Sequence, residues 1–208
     1  MALYILVAII AYAIGSVNFS IIFSKKFAGF DVREKGSGNA GTTNMLRSAG
    51  KGLAALTLVC DILKGIVAVL VAFWIGKIAT EARPEILIQI AGFFAIVGHT
   101  FPVYFGFKGG KGVATSLGIL LLVNWQIGLI CLVFAILVMV ITRMVSLGSI
   151  MAAILFPVLT MFITEHYIVS GNYIIFGIIM AVLVMFNHRS NLARIMKGEE
   201  NKISFKKQ

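Results

Sequence analysis

Long apolar runs separated by short charged loops dominate the sequence. Runs long enough to cross about 30 Å of hydrocarbon lie at Ala2 to Ser24, Gly52 to Gly76, Ile86 to Phe105, Leu147 to Ile163 and Tyr173 to Phe186. A further uncharged run, Val113 to Ile141, would be about 43 Å long as one helix. The pattern predicts an all-α, polytopic integral membrane protein.

The distribution of basic residues indicates whether 113–141 forms one span or two. Cytoplasmic loops are enriched in Lys and Arg, and a turn near 124–126 places 15 of the 18 basic residues on one face. A single span would put Arg143 and the basic residues from Arg189 onward on different faces. We therefore expect seven transmembrane helices, with the N-terminus outside and the C-terminus in the cytoplasm. The short helix from Val113 must then begin in the preceding loop, or the bilayer must thin locally.

Composition agrees with a membrane location and suggests an anionic partner. The chain is 60% hydrophobic and 12% charged, which excludes a single water-soluble globule. Its net charge of +10 favours lipid headgroups or a small anion. Nucleic acid is disfavoured because the basic residues lie in short loops between lipid-length runs. We expect one membrane-embedded domain, 1–194, and a basic cytoplasmic tail, 195–208.

The loop after the first span is rich in glycine and small polar residues. It reads Gly36-Ser37-Gly38-Asn39-Ala40-Gly41-Thr42-Thr43-Asn44 and is followed by Arg47. The dinucleotide pattern G-x-G-x-x-G matches literally, but that pattern needs a preceding strand in a βαβ unit. Glycines let backbone N–H groups converge on an anion, and an arginine can clamp phosphate bidentately. A flexible surface loop is the alternative interpretation.

A second glycine-rich segment precedes the helix that begins at Val113. It includes His99-Thr100-Phe101-Pro102 and Lys108-Gly109-Gly110-Lys111-Gly112. The segment is not a Walker A loop, because its glycine spacing is one residue short and no Ser or Thr follows Lys111. Even so, such a turn at a helix N-terminus offers N–H donors and a favourable dipole to an anion. The lysines could instead be ordinary positive-inside anchors.

Two more polar groups follow the next spans. Arg143 and Ser146 stand one helical turn apart, and Asn187-His188-Arg189-Ser190-Asn191 with Arg194 begins where the last span ends. A topogenic arginine and a basic stop-transfer flank are the respective alternatives. The phosphate interpretation predicts that all four motifs gather on one membrane face.

Asp61 and Lys64 lie well inside the second apolar run. Ionisable residues at this depth are costly and usually pair in the bundle interior. The two could form a structural pair that locks helices, or they could support the site by orienting Arg47 or Arg143. No acidic cluster or H-E-x-x-H motif offers a metal site, so we expect no metal or other cofactor.

Together these motifs resemble the bacterial acyl-phosphate:glycerol-3-phosphate acyltransferases, the PlsY family. The resemblance implies a seven-span enzyme of the bacterial cell membrane that moves a fatty acyl group from acyl phosphate to the sn-1 hydroxyl of glycerol 3-phosphate. Lysophosphatidic acid and phosphate are the expected products, in the first acylation step of phospholipid synthesis. The expected partners are these two substrates, membrane lipids and the soluble enzyme that makes acyl phosphate. The active site would face the cytoplasm.

The resemblance also implies roles for individual residues. The implied catalytic residues are Ser37, Arg47, His188 and Asn191. The implied substrate-binding and phosphate-binding residues are Gly38, Asn39, Thr42, Asn44, Lys108, Gly109, Gly110, Lys111, Gly112, Arg143 and Ser146. A second layer of residues, which does not contact the substrates but orients the residues that do, would consist of Asp61, Lys64 and His99.

Three questions stay open at this stage. His188 could be the general base, but the substrate phosphate could also take the proton, which we favour because no carboxylate lies near His188 in sequence. A covalent acyl-Ser37 intermediate is conceivable. The competing classes are a transporter for an organic phosphate, in which Asp61 and Lys64 would form a gate, and a structural or lipid-sensing protein.

Overall fold

A computed structural model of the chain describes residues 1–79, 82–165 and 167–203. Within these residues the chain is helical, with one isolated antiparallel bridge between Asn124 and Tyr167 and no strand. The chain divides into a first unit, Met1–Val123, and a second unit, Asn124–Gln208. Lys206 and Lys207, two of the basic residues assigned to the cytoplasmic face, lie outside the described residues.

The first unit contains helices α1 to α6. Their bounds are α1 Ala2–Ser16, α2 Phe19–Phe23, α3 Thr42–Ser48, α4 Lys51–Ile78, α5 Pro84–Thr100 and α6 Val113–Val123. Shorter turns of other helical types lie at Ser24–Ala28, Val32–Glu34 and Val103–Phe105. α1 packs on α5, and α4 packs on both α5 and α6.

Glycines allow these helices to approach closely. A Cβ on Gly15 of α1 would overlap the backbone of Ala95 in α5, and a Cβ on Gly118 of α6 would overlap the backbone of Ile62 in α4. Small residues at such contacts are typical of membrane helix bundles. The close packing brings the end of α5 and the start of α6 against the middle of α4, where Lys64 contacts His99 and Gly65 contacts Thr115.

The second unit contains helices α7 to α10. Their bounds are α7 Trp125–Thr142, α8 Val145–Leu159, α9 Ile174–Asn187 and α10 Arg189–Met196. α8 packs between α7 and α9. α9 and α10 meet at a bend of 65° at His188, so the last apolar helix ends in a short helix that carries the polar motif.

The helix lengths support a protein that crosses the membrane several times. In the described residues, four helical segments are long and apolar enough to span: Ala2–Ala28, Lys51–Ile78, Pro84–Phe105 and Trp125–Thr142. The bent α9–α10 pair is a fifth candidate, while α6 and α8 are shorter apolar helices. The all-helical, multi-pass architecture is confirmed, whereas the count of seven spans and the orientation stay predictions.

Asparagines divide two of the apolar runs. The expected break within 113–141 is confirmed: Asn124 is extended, at φ −147° and ψ 99°, and its side chain caps α7 by accepting a hydrogen bond from Ile127 N. α6 begins at Val113, so it does not start in the preceding loop. The break at Asn18 in the first run was not expected from hydropathy. Asn18 Oδ1 accepts from Ile21 N, which is ordinary N-capping.

Candidate functional site

The first glycine-rich loop is held in shape by the buried side chain of Asn44. Its Oδ1 accepts a hydrogen bond from Ser37 N at 2.9 Å, and its Nδ2 donates to Val32 O at 2.9 Å and Lys35 O at 3.0 Å. Gly36 has φ +59°, and a Cβ there would overlap Asn44 Oδ1. Asn44 therefore fixes the backbone beneath Ser37, and its predicted contact with substrate stays a prediction.

The other predicted residues of this loop are more accessible. Ser37 and Gly38 are exposed, and Arg47 is exposed on the last turn of α3. Asn39 and Thr42 are partly buried, and the Thr42 Oγ1 atom is itself buried, with no hydrogen-bond partner among the described residues. The loop thus presents hydroxyl, amide and guanidinium groups that are available to a ligand.

The second glycine-rich segment lies directly against the first loop. Ala40 N donates to Gly109 O at 3.3 Å, Gly109 N donates to Thr100 O at 3.0 Å, and Gly110 N donates to His99 O at 3.1 Å. The first unit therefore brings the first two predicted motifs together. Lys108 is exposed, Gly112 has φ +82°, and α6 begins at the next residue. Free backbone N–H groups are expected at this helix N-terminus.

Arg33 joins the same two segments, although sequence reasoning did not single it out. Its Nε and Nη2 donate to the two carboxylate oxygens of Asp31 at 3.0 and 2.7 Å. Its Nη1 donates to Phe105 O at 2.7 Å and Lys108 O at 3.2 Å. The Arg33 hydrogen bonds hold the pKa of Asp31 well below its usual range despite partial burial. The available signal was an Asp-x-Arg sequence just before the glycine loop.

Asp61 and Lys64 form a buried pair, as the sequence suggested. Lys64 Nζ lies 2.9 Å from Asp61 Oδ1 on the same helix. It also lies 2.8 Å from His99 Nδ1 on α5 and donates to Val17 O at 2.7 Å. The predicted supporting residues Asp61, Lys64 and His99 therefore form one cluster in the first unit.

In the second unit, Ser146 and Asn191 meet at a carboxylate that sequence reasoning missed. Glu200 Oε1 accepts from Ser146 Oγ at 2.9 Å and from Asn191 Nδ2 at 2.7 Å, while Oε2 accepts from Arg194 Nε at 2.9 Å. Burial alone would raise the pKa of Glu200, but these hydrogen bonds and the charge of Arg194 outweigh it and lower the pKa. Glu200 lies in the stretch interpreted as a tail, where no motif marked it.

Arg143 and His188 each lie at the end of a helix in the same unit. Arg143 adopts the left-handed conformation, φ +62°, after α7, and its carbonyl accepts from Ile203 N at 2.8 Å. His188 is buried, and its Nδ1 lies 2.8 Å from Val184 O. Because a carbonyl can accept but not donate, the Nδ1 atom carries a proton, and in the neutral ring Nε2 has the lone pair.

The described residues contain no group of three or more His, Cys, Asp or Glu side chains that could hold a metal ion. The side chains of the predicted site residues are mainly hydroxyls, amides and cations. Such donors can bind and stabilise phosphate charge.

Comparison with known proteins places these motifs in one family. The model of the family "Glycerol-3-phosphate acyltransferase" matches residues 5–198. The glycerol-3-phosphate acyltransferase of Clostridioides difficile (strain 630) is 41% identical to this chain, and the alignment covers 99% of this chain and 98% of the relative. That of Nostoc sp. (strain PCC 7120) is 42% identical, with 96% of this chain and 92% of the relative covered.

Solved structures agree with this result. A crystal structure of PlsY, an integral membrane glycerol 3-phosphate acyltransferase in its glycerol 3-phosphate form, matches with a TM-score of 0.84 and 32% identity. The match covers 97% of this chain and 96% of that chain. The lysophosphatidic acid form matches with a TM-score of 0.82.

Proposed function

This chain belongs to the glycerol-3-phosphate acyltransferase family, and from that premise we propose that it transfers a fatty acyl group from acyl phosphate to the sn-1 hydroxyl of glycerol 3-phosphate. The coarser activity, acylation of glycerol 3-phosphate to lysophosphatidic acid by an integral membrane enzyme of PlsY type, follows from the family. The hydrogen bond between Ala40 of the Ser37 loop and Gly109 of the glycine turn supports a shared site, because it places the proposed reacting loop beside the proposed phosphate-binding turn.

The glycine turn, residues 108–112, is our candidate for the phosphate of glycerol 3-phosphate. It leads into the N-terminus of α6, where backbone N–H groups and the helix dipole favour an anion. Lys108 is exposed, which suits a water-soluble substrate better than one whose chain stays in the bilayer. Lys111 adds positive charge to the turn.

The groups that we propose around the reacting carbonyl are Ser37, Arg47, Asn39 and Thr42. Acyl phosphate is a mixed anhydride, so the substrate hydroxyl attacks its carbonyl carbon and the carbon–oxygen bond to phosphate breaks. Phosphate leaves as an anion and needs no strong acid. Positioning and charge stabilisation therefore account for most of the catalysis, and Arg47 supplies a bidentate cation for the departing phosphate.

The remaining site residues that we propose, by resemblance to the family, are Arg143, Ser146, His188 and Asn191. The proton of the attacking hydroxyl can go to His188 Nε2 or to a substrate phosphate oxygen. Val184 O can orient the His188 ring, so the lack of a carboxylate near His188 in sequence no longer favours the phosphate. Both acceptors fit the chemistry.

The donor is tested by supplying purified protein with labelled glycerol 3-phosphate and one of three donors: acyl phosphate, acyl-coenzyme A or an acyl carrier protein. We expect labelled lysophosphatidic acid with acyl phosphate alone, acylated at sn-1. Formation of product from either thioester at a comparable rate would overturn the proposed donor. Acylation at sn-2 would overturn the proposed position.

A Ser37→Ala variant tests the proposed role of the Ser37 hydroxyl. We expect it to fold like the wild type, because Asn44 binds the backbone of Ser37 and not its hydroxyl. Its activity should fall by about two orders of magnitude or more, as expected when a preorganised polar group at the reacting centre is lost. Activity close to the wild type would remove Ser37 from the proposed mechanism.

A further inference from the structure

A buried ionic cluster lies in the first unit, away from the exposed loop residues. It consists of Asp61 and Lys64 on α4 and His99 at the end of α5, which are 1%, 5% and 3% exposed. Asp61 and Lys64 lie about 15 and 20 Å along α4 from Lys51. None of the three has a role in the acyl transfer proposed above.

Lys64 makes one ion-pair contact and two hydrogen-bond contacts. Asp61 Oδ1, 2.9 Å away, supplies the countercharge, although no well-directed hydrogen bond reaches this oxygen. The directed contacts are those to Val17 O at 2.7 Å and to His99 Nδ1 at 2.8 Å. An ammonium group has donors and no acceptor, so a charged Lys64 donates to His99 Nδ1, which also lies 3.6 Å from Asp61 Oδ1.

His99 connects this ammonium group to the glycine turn. Its carbonyl accepts from Gly110 N at 3.1 Å. Its ring Nε2 lies against Gly110 so closely that a Cβ on Gly110 would overlap it. The imidazole therefore contacts Lys64 on one side and the turn on the other.

Val17 connects the same ammonium group to the first loop. Val17 O receives the Lys64 hydrogen bond at the end of α1, and the next residue, Asn18, donates from Nδ2 to Ala40 O at 3.4 Å. Ala40 N in turn donates to Gly109 O at 3.3 Å. Two chains of contacts thus start at Lys64 and end at adjacent residues of the same turn.

Helix locking alone does not explain a charged cluster at this depth. Replacing a buried ion pair with apolar residues of similar volume is often neutral or stabilising. Apolar side chains would lock α4 to α5 equally well, but they would not fix the ring of His99 or the carbonyl of Val17 in one orientation.

We propose that Asp61, Lys64 and His99 form a positioning device that holds the Gly109–Gly110 turn in the conformation that binds the phosphate of glycerol 3-phosphate. The inference rests on the proposed function of the turn. The proposed target of the cluster is the glycine turn, whereas the sequence had suggested Arg47 or Arg143. Lys64 fixes the orientation of the His99 ring, and Asp61 balances the charge of Lys64. His99 in turn fixes the conformation of the glycine turn.

The main test uses a charge-balanced double variant, Asp61→Asn with Lys64→Met, beside the single variant His99→Asn. The double variant removes the ion pair without leaving an unpaired charge. The asparagine at position 99 retains an acceptor near Lys64 but removes the ring edge that contacts Gly110. The matched control is Glu85→Gln, which breaks the ion pair with Arg83 at the other end of α5, about 21 Å from His99.

For each protein, the KM for glycerol 3-phosphate, the KM for the acyl donor, kcat and the thermal unfolding midpoint are measured. We expect the double variant and His99→Asn to keep the unfolding midpoint within a few degrees of the wild type. Their KM for glycerol 3-phosphate should rise by about tenfold or more, the effect of losing well-placed charge-assisted hydrogen bonds to a phosphate. The KM for the acyl donor should change far less, and Glu85→Gln should match the wild type.

Wild-type KM values in both test variants would overturn the proposal and leave a helix-locking role. Failure of both variants to fold would also overturn it in favour of that role. The unfolding-midpoint shift caused by added glycerol 3-phosphate reports binding without any acyl donor. A wild-type protein that shows this shift but does not use acyl phosphate would disprove the proposed donor and leave the cluster test intact.

Discussion

Glu200 shows how one carboxylate can order several polar side chains. It binds Ser146, Asn191 and Arg194 in the second unit and is 7% exposed. Two of these three side chains are candidate site residues. Their orientation in the protein therefore depends on a residue outside the motifs.

We expect Glu200→Gln to lower the free energy of unfolding by about 2 kcal/mol at neutral pH, because charge-assisted hydrogen bonds are lost. The folded-state pKa of Glu200 lies below its ordinary value of 4.5. A lowered pKa stabilises the folded protein fully above the unfolded value, and this contribution is lost as the pH falls through the folded value. The difference between wild type and variant should therefore be largest above pH 4.5 and shrink below it.

Unfolding midpoints measured from pH 7 down to pH 3 check this expectation. Glu199→Gln is the control, because Glu199 is exposed. A wild-type-to-Glu200→Gln difference that stays constant across this range would contradict the proposed role of the charge.

His188→Gln separates the two proton acceptors. If His188 Nε2 is the base, turnover should fall by about two to four orders of magnitude while the KM for glycerol 3-phosphate stays nearly unchanged. If a substrate phosphate takes the proton, turnover should stay within about tenfold of the wild type. Steady-state rates with saturating acyl phosphate distinguish these outcomes.

At the scale of the structural elements, hydrogen bonds hold the two glycine-rich segments together. The hydrogen bond from Ala40 N to Gly109 O joins them directly, and Arg33 joins them from the side. Arg33 uses the planar fork of its guanidinium group to reach the Asp31 carboxylate and two backbone carbonyls. A lysine cannot reproduce this geometry.

We therefore expect Arg33→Lys to raise the KM for glycerol 3-phosphate by about tenfold, because Lys108 of the turn and Phe105 just before it each lose a hydrogen bond of about 1 kcal/mol. The change in kcat should be smaller. Arg83→Lys is the matched control, since Arg83 makes an exposed ion pair with Glu85. Initial rates at varied glycerol 3-phosphate give both constants, and an unchanged KM would show that Arg33 does not position the turn.

At the scale of the whole molecule, orientation in the membrane is the main open prediction. Seven spans with an external N-terminus place Lys35 and Ser190 in the cytoplasm, and Arg83 and Glu165 outside. These four residues are exposed. Each can be replaced by cysteine in a chain whose native Cys60 and Cys131 are alanines.

A membrane-impermeant maleimide applied to intact cells should label the Arg83→Cys and Glu165→Cys variants. It should label Lys35→Cys and Ser190→Cys after the cells are opened. Labelling of Lys35→Cys and Ser190→Cys from opposite sides would refute the seven-span topology and the gathering of the four motifs on one membrane face.

The sequence was most informative where a local property decides the structure. Hydropathy alone predicts the helical membrane segments, because each segment satisfies its backbone hydrogen bonds internally in lipid. The break near 124–126 was predicted because the distribution of basic residues required a turn there, and the structure shows that Asn124 caps the helix that follows. The break at Asn18 was missed, since the surrounding residues remain apolar and no charge marks it.

The sequence by itself determined the membrane class, the glycine-rich motifs and the family, because composition, periodicity and motif order lie along the chain. Only the tertiary structure decided which residues support those motifs. Arg33, Val17 and Glu200, which the sequence did not single out, make contacts between residues as many as 75 positions apart. Such contacts depend on how the helices pack, and residue spacing along the chain does not reveal them.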